Sequence, residues 1–188
     1  GFERRTQRAG DSMDTMAASM SATTATNGHE AFSERLQRHR GIVFKVANSY
    51  ARRPEDRDDL VQDICTQLWH AWPKYDPTRS FSTWMYRVAL NVAISHVREQ
   101  VMRARHDAVP LDDGLHDVAD AGGADHERDQ HVRVLQRFIQ RQPPLDRALL
   151  LLYLDDRPQR EIAEILGITE SNVSTKIGRL KQRVRDEL

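Results

Sequence analysis

The segment from Pro158 to Leu188, PQREIAEILGITESNVSTKIGRLKQRVRDEL, leaves this chain few ways to fold. Ile162, Ala163 and Leu166 recur at helical spacing, Gly167 follows, and Val173, Ile177, Leu180 and Val184 form a second apolar stripe. Two short helices that cross steeply need a small side chain where they touch, which Ala163 provides. They also need a residue tolerating positive φ where the first helix stops, which Gly167 provides. Ile168 is expected in the core, Thr169 at the N-cap of the second helix, and Glu170 in its first turn, where a carboxylate suits the helix dipole. The pattern predicts a helix-turn-helix whose second helix is basic.

The face of that second helix away from its apolar stripe carries Ser171, Asn172, Ser174, Thr175, Lys176 and Arg179. From Ser171 to Arg185 there are five basic residues and no acidic ones. A basic face alone is satisfied by solvent. Together with the Ala, Gly and Val positions, it points to a recognition helix for DNA. Gly178 is the irregularity, costing about 1 kcal/mol against Ala inside a helix. It is either tolerated or a point of close backbone approach.

Lys and Arg together number 28, as do Asp and Glu, so the net charge is zero. That balance first argues against nucleic acid, because neutralising phosphates supplies most non-specific affinity. Segregation answers the objection. Acids concentrate in Glu55–Asp63 and Asp112–Asp129, while Arg35–Arg53 and Ser171–Arg185 are basic. With aromatics at 6%, abundant charge and no strand-like alternation, the expected fold class is all-α. Cys65 is the single cysteine, inside an apolar helical pattern; it excludes a disulfide framework and fits a reduced compartment. No apolar run approaches a membrane span, so no membrane insertion is expected and the location expected is cytoplasmic. His106, His116, His126 and His131 are irregularly spaced and lack cysteine partners, so no metal is expected. No Gly-rich phosphate loop and no grouping of nucleophile, base and orienter occurs, so neither a cofactor nor an enzyme is expected.

Four segments follow in chain order. Residues 1–28 lack periodicity and read as a disordered tail. Residues 29–101 form a first helical domain, 102–130 an acidic, Gly/Ala/Asp-rich flexible linker, and 131–188 the domain ending in the helix-turn-helix. Within the first domain, Phe32, Leu36, Ile42, Val43, Val46 and Tyr50 outline one helix. A second starts at Pro54 and runs to about Trp72, its broad stripe comprising Leu60, Val61, Ile64, Cys65, Leu68, Trp69 and Trp72. A turn-rich loop, Lys74–Ser82, precedes a long helix on which Trp84, Met85, Val88, Ala89 and Val92 can face the core. Phe81, Tyr75, Tyr86, Arg87 and Asn91 lie at or near the loop mouth. Aromatic rings and amides bounded by arginines suit unpaired bases; taken alone, the segment reads more simply with Phe81 and Trp84 in the core and Asn91 as a capped or satisfied polar residue.

The order DLVQDICTQLWHAW, loop, FSTWMYRVALNVAISHVRE, linker, REIAEILGITESNVSTKIGRLKQRV is far more specific than any one part. Over residues 30–100 and 131–188 it resembles the extracytoplasmic-function (ECF) sigma factors, the small two-domain sigma subunits of bacterial RNA polymerase. The resemblance implies a protein that binds core polymerase and directs promoter-specific initiation, its first domain (region 2) melting the minus-ten element and its second (region 4) reading the minus-thirty-five element. It implies that Asp59, Gln62, Asp63 and Gln67 meet the clamp of the largest subunit, with Leu60 and Trp69 structural. Phe81, Ser82, Trp84, Arg87 and Asn91 would serve the minus-ten element and its flipped base, Trp84 being nearest to a packing role. Ser171, Asn172, Ser174, Thr175, Lys176 and Arg179 would serve the minus-thirty-five element, with the flap of the second-largest subunit nearby. Partners implied are core polymerase and promoter DNA, with room for an anti-sigma factor; the free chain is expected to be monomeric.

On this reading, phosphate contacts from Lys176, Arg179, Lys181 and Arg183 hold register while Asn172, Ser174 and Thr175 reach base edges. Where usual members carry Gly-Thr-Val-Lys-Ser-Arg, this chain has Ser171, Asn172, Val173, Ser174, Thr175 and Lys176, so two basic positions become one. The linker acids Asp112–Asp129 suggest an electrostatic screen for the basic helices. The competing readings are a helix-turn-helix regulator that is not a polymerase subunit, and a sigma-like adaptor that binds polymerase without melting. The first would need a receiver or ligand-binding domain, for which Glu30–Gln100 is too short and too helical.

Overall fold

A computed structural model describes residues 28–106 and 126–187. Residues 1–27 of the tail expected over 1–28, and the greater part of the acidic linker, with its proposed screening role, lie outside the described residues, while Gly28 already belongs to the first helix. Among the described residues every regular element is helical. Helix α1 covers residues 28–50 and α2 Pro54–Ala71, followed by one 3-10 turn, Trp72–Lys74. Then come α3, Phe81–His106; α4, His126–Arg141; α5, Pro144–Leu154; α6, Gln159–Leu166; and α7, Glu170–Glu187. The helices continue into both ends of the stretch read as linker. No breaker follows Gln100 before Pro110, and none separates Gly123 from Pro143.

The chain divides within α1 into two units, residues 1–40 and 41–188. In the first, Phe32 is buried and Leu36 half-buried. In the second, Ile42, Val43, Val46, Ala47 and Tyr50 carry the apolar stripe to the end of the helix.

Helix α2 buries Leu60, Ile64 and Leu68, a strict i, i+4 row. Val61, Cys65, Trp69 and Trp72 are only half-buried, so the stripe is narrower than the sequence suggests. The row packs on α3, which buries Met85, Tyr86, Ala89, Leu90 and Ala93. Each buried large aliphatic contributes about 1.5–3 kcal/mol of gross transfer free energy. Helix α3 starts at Phe81, two residues earlier than the sequence suggests. Ser80 is the reason: its carbonyl accepts from the Trp84 amide at 3.1 Å, and its hydroxyl lies 3.4 Å from the Thr83 amide. The loop before it is tied by Asp76, whose carboxylate accepts from the Thr78 amide at 2.9 Å and its hydroxyl at 2.7 Å. These bonds hold Asp76 below the usual carboxylate range.

The C-terminal helices form a second core from Phe138, Ala148, Leu149, Leu150, Leu152, Ile162, Ala163, Ile165, Val173, Ile177 and Leu180. Ile165, absent from the predicted stripe, is buried, whereas Leu166 and Ile168 are half-buried. Gly167 takes φ 66°, and the Ile168 amide returns to the Ala163 carbonyl, closing α6 as expected. Thr169 accepts the Asn172 amide at 3.2 Å and N-caps α7. Helix α5 ends differently. Asp156, at φ 54°, occupies the left-handed position usually given to glycine, with the Arg157 amide bonded to the Leu152 carbonyl and the Asp156 amide to that of Tyr153.

The two helical modules, one built on α2 and α3 and the other on α4–α7, meet along a polar seam. At one end the Tyr50 hydroxyl donates to the Pro144 carbonyl at 2.6 Å. Arg147, 8% exposed, donates to the carbonyls of Ser49 at 3.0 Å, Gln140 at 2.6 Å and Gln142 at 3.2 Å, with its guanidinium 5.1 Å from the Tyr50 ring centre. These carbonyls belong to the C-terminal ends of α1 and α4, whose negative dipole ends substitute for a carboxylate partner. Burial still pulls the arginine below its ordinary pKa and leaves its Nε without a partner.

At the other end Asp155 receives Lys45, the Tyr86 hydroxyl at 2.9 Å and Arg157 Nε at 3.1 Å. Arg157 also reaches the Ser82 hydroxyl at 3.1 Å and Glu161 at 3.0 Å, while the Thr83 hydroxyl donates to Glu161 at 2.7 Å. Burial works against the Asp155 charge, but the hydrogen bonds from Lys45, Tyr86 and Arg157 outweigh it and hold the carboxyl below its usual range. The same burial, together with the Asp155 carboxylate, pushes the Tyr86 phenol upward. Outside this group, Arg79 pairs with Glu164 at 3.0 Å.

Candidate nucleic-acid interface

Three exposed faces gather the residues singled out from the sequence. On α2, Asp59, Gln62, Asp63 and Gln67 are all exposed at i, i+3, i+4 and i+8, opposite the buried row. Among the described residues none of their side chains makes an ion pair or hydrogen bond, so this acidic and amide face is available. Leu60 is fully buried and Trp69 half-buried, in keeping with structural roles.

On α3, Trp84, Arg87 and Asn91 lie at i, i+3 and i+7, with Arg87 and Asn91 exposed and Trp84 half-buried. Phe81 and Ser82 are separated from that face in different ways. Phe81 is 8% exposed and sits in a cluster of four rings, 6.2 Å from Trp72, 5.5 Å from Tyr75 and 5.4 Å from Trp84. Trp72 and Tyr75 stack at 5.3 Å with planes 14° apart, and Tyr75 lies 5.0 Å from Trp84. The Tyr75 hydroxyl donates to the Arg79 carbonyl at 2.7 Å, tying the loop to the cluster. Ser82 is half-buried beside Ser80, at 3.1 Å, and under Arg157. The sequence signal for the cluster was the density of rings from Trp69 to Trp84. Trp72, which reads simply as the end of an apolar stripe, turns out to be its base.

On α7, Ser171, Asn172, Ser174, Thr175, Gly178 and Arg179 are exposed. The Thr175 hydroxyl donates back to the Ser171 carbonyl at 2.9 Å, so that toward a ligand its oxygen acts as an acceptor. The five basic residues are not equivalent. Lys176 lies 3.3 Å and Arg183 3.4 Å from Asp146 of α5, and the Lys181 ammonium stands 4.4 Å from the centre of the Tyr153 ring. Three of the five therefore brace α7 against α5, and Arg179 and Arg185 face solvent. Counting charge along a helix cannot separate these groups; their partners come from 30 and 37 residues away for Lys176 and Arg183.

Gly178 shares the outward face, and a Cβ there would meet nothing within 4 Å. The intramolecular packing gives no reason for glycine. Gly178→Ala should therefore raise the unfolding free energy by about 1 kcal/mol, measured by denaturant unfolding. If the gap admits a DNA backbone, the same variant binds duplex promoter DNA less tightly than the parent.

Among the described residues no three His, Cys, Asp or Glu side chains are grouped to hold a metal ion, and no helix is long and apolar enough to cross a membrane. Cys65 is half-exposed and free, its thiol pushed up by burial.

An all-α chain with a capped helix-turn-helix on one module and an exposed arginine–amide face on the other is a DNA-binding protein of two-module design. Comparison with known proteins makes the class specific. Sigma-70 region 2 matches residues 36–102 and Sigma-70 region 4 matches residues 133–184. The RNA polymerase sigma factor CnrH of Cupriavidus metallidurans is 27% identical over 180 residues, 88% of this chain and 90% of that protein. The ECF RNA polymerase sigma factor SigW of Bacillus subtilis is 27% identical over 168 residues, 85% of this chain and 89% of its own. Among solved structures, CnrH in complex with the cytosolic domain of CnrY aligns with a TM-score of 0.61 at 23% identity, covering 88% of this chain and 92% of that one. The sigma factor RpoE in complex with the anti-sigma factor NepR, from Bartonella quintana, aligns with a TM-score of 0.69 at 16% identity, covering 84% and 96%. The chain belongs to the sigma-70 family and is a sigma factor of the extracytoplasmic-function type.

Proposed function

We propose that this sigma factor divides initiation among its three exposed faces: α2 anchors core RNA polymerase, α3 melts the minus-ten element, and α7 reads the minus-thirty-five element. The observation that carries the reading is that Asp59, Gln62, Asp63 and Gln67 form one solvent-facing row with no partners among the described residues, while Leu60, Ile64 and Leu68 behind them are fully buried. Exposed carboxylates and amides on a rigid helix suit a basic partner surface, for which the clamp of the largest subunit is the candidate. The flap of the second-largest subunit would meet the helix-turn-helix module.

On α3, Arg87 and Asn91 are poised to hold an unpaired base, with Trp84 offering the exposed edge of the aromatic cluster as a stacking surface. Extrusion costs a few kcal/mol of stacking, which these contacts must offset. Phe81 acts through the cluster that fixes Trp84, and Ser82 reaches DNA only after Arg157 leaves it. On α7, Asn172, Ser174 and Thr175 reach base edges and Arg179 holds phosphate. Lys176 serves DNA only by leaving Asp146, so the single basic position retained from the family pattern is also a structural brace. No step requires catalysis or a cofactor. The solved complexes of sigma relatives with CnrY and NepR support an anti-sigma partner for this chain as well, and the absence of a spanning helix among the described residues fits work in the cytoplasm.

The experiment is association with sigma-free core polymerase. The purified chain should co-elute with core as a one-to-one complex on size-exclusion chromatography; separate elution at micromolar concentrations would overturn the proposal.

A further inference from the structure

On α7, Asn172, Lys176, Arg179 and Arg183 stand at i, i+4, i+7 and i+11, a single row beside the buried stripe of Val173, Ile177 and Leu180. Of the three cations in that row, two converge on one carboxylate. Asp146 Oδ1 accepts from the Lys176 ammonium at 3.3 Å and Oδ2 from the Arg183 guanidinium at 3.4 Å. Asp146 belongs to the first turn of α5, close behind Pro144, and Ala148, Leu149 and Leu150 anchor that helix in the core. An anion there sits on the positive end of the helix dipole, so the carboxylate keeps its place whether or not the cations stay. Its side chain is 18% exposed, against 32% for Lys176 and 50% for Arg183, so the cations are the partners with room to leave. Arg179, on the same row, faces solvent. Toward its two cations Asp146 presents what a backbone phosphate would, one negative charge shared by two oxygens.

We propose that Asp146 is a positioning residue that sets specificity: it holds Lys176 and Arg183 as an internal substitute for DNA phosphate and yields them only where base contacts seat α7. This rests on the reading of α7 given above. A duplex bound without regard to sequence offers hydrated, shifting phosphates, and a carboxylate fixed within contact distance outcompetes them. Where Asn172, Ser174 and Thr175 engage base edges, α7 is fixed in the groove, phosphates come to rest beside the row, and exchange of carboxylate for phosphate becomes favourable. Non-specific affinity is almost wholly phosphate-derived, whereas specific affinity is shared with base contacts. Withholding two cations therefore weakens the first more than the second, and the difference between them is specificity. Asp146 itself touches no DNA.

The test compares the full chain with its Asp146→Asn variant, which removes the charge and keeps the shape. The probes are a random-sequence duplex pool and the duplexes enriched from that pool by the parent chain bound to sigma-free core. On the random pool at low salt, Asp146→Asn should bind on the order of tenfold more tightly, and log affinity should fall more steeply with log salt, the slope growing by about 1 to 2. On the enriched duplexes the gain should be smaller, about two- to threefold. Asp146→Glu, which keeps the charge, should retain the parent's slope. Adding Lys176→Gln and Arg183→Gln to Asp146→Asn should abolish the gain in slope, an outcome that a simple disturbance of α5 does not produce. Asp146→Ala, a good helix former, gives the same readout should the amide variant fold poorly. Unchanged affinity and slope on the random pool, or no binding by either protein, would overturn the withholding of charge, and an equal gain on both probes would overturn its role in specificity. If the parent with core enriches no sequence, the functional reading fails and the specificity role with it, while the random pool still decides whether Asp146 withholds the two cations.

Discussion

Replacing Arg87 and Asn91 together with alanine should reduce open-complex formation by about a hundredfold or more, with duplex binding by the helix-turn-helix module unchanged. Both side chains are exposed on α3 and neither has a partner among the described residues, so truncation leaves the fold intact. What disappears is the set of contacts that compensates for pulling a base from the stack, a cost of a few kcal/mol, and about 1.4 kcal/mol corresponds to each tenfold. Permanganate reactivity of promoter thymines, read in the reconstituted holoenzyme, measures this directly. A pre-melted template should recover much of the loss, because the unstacking is already done. A sigma-like adaptor without a melting role would show full reactivity in the double variant.

Reversing charge at Asp59 and Asp63 on α2, each to arginine, should weaken association with core polymerase by about two orders of magnitude. Like-charge juxtaposition at an interface costs several kcal/mol, and the two positions sit four residues apart on the same face. Both are exposed and opposite the buried row of Leu60, Ile64 and Leu68, so thermal unfolding should shift little. Gln62→Ala and Gln67→Ala should have smaller effects. Fluorescence anisotropy of labelled chain against titrated core provides the readout, and a lower salt dependence in the reversed variant would identify the lost attraction as electrostatic.

The helix-turn-helix was legible in the sequence because its determinants are local. Ala163, Gly167 and Thr169 act within a few residues of one another, and each holds the position that its chemistry implies. The exposed row on α2 was equally readable, since helical spacing alone separates it from the buried stripe; on α3 the expected stripe was displaced, Trp84, Val88 and Val92 being half-buried while Tyr86, Leu90 and Ala93 are buried. The start of α3 was not. Lys74–Ser82 looks like loop throughout, and only the capping by Ser80 pulls Phe81 and Ser82 into the first helical turn. Tyr86, read at or near the loop mouth from its position in the chain, is fully buried, and its hydroxyl donates to Asp155, 69 residues away.

The seam itself had no signature. Its contacts join residues 69 to 110 positions apart, and in the sequence those residues look like ordinary solvated charges. The brace formed by Asp146 with Lys176 and Arg183 was hidden in the same way. A basic run predicts the sign of a surface, but burial and partners decide which cations remain for phosphate.

The central claim is that this chain is a removable specificity subunit, and initiation tests it most directly. Core polymerase freed of sigma should be mixed with selected genomic fragments, with and without the purified chain, and transcript 5′ ends mapped. The account predicts discrete starts that appear only with the chain and vanish with the Arg87→Ala, Asn91→Ala double variant. Transcripts that are identical with and without the chain would contradict it.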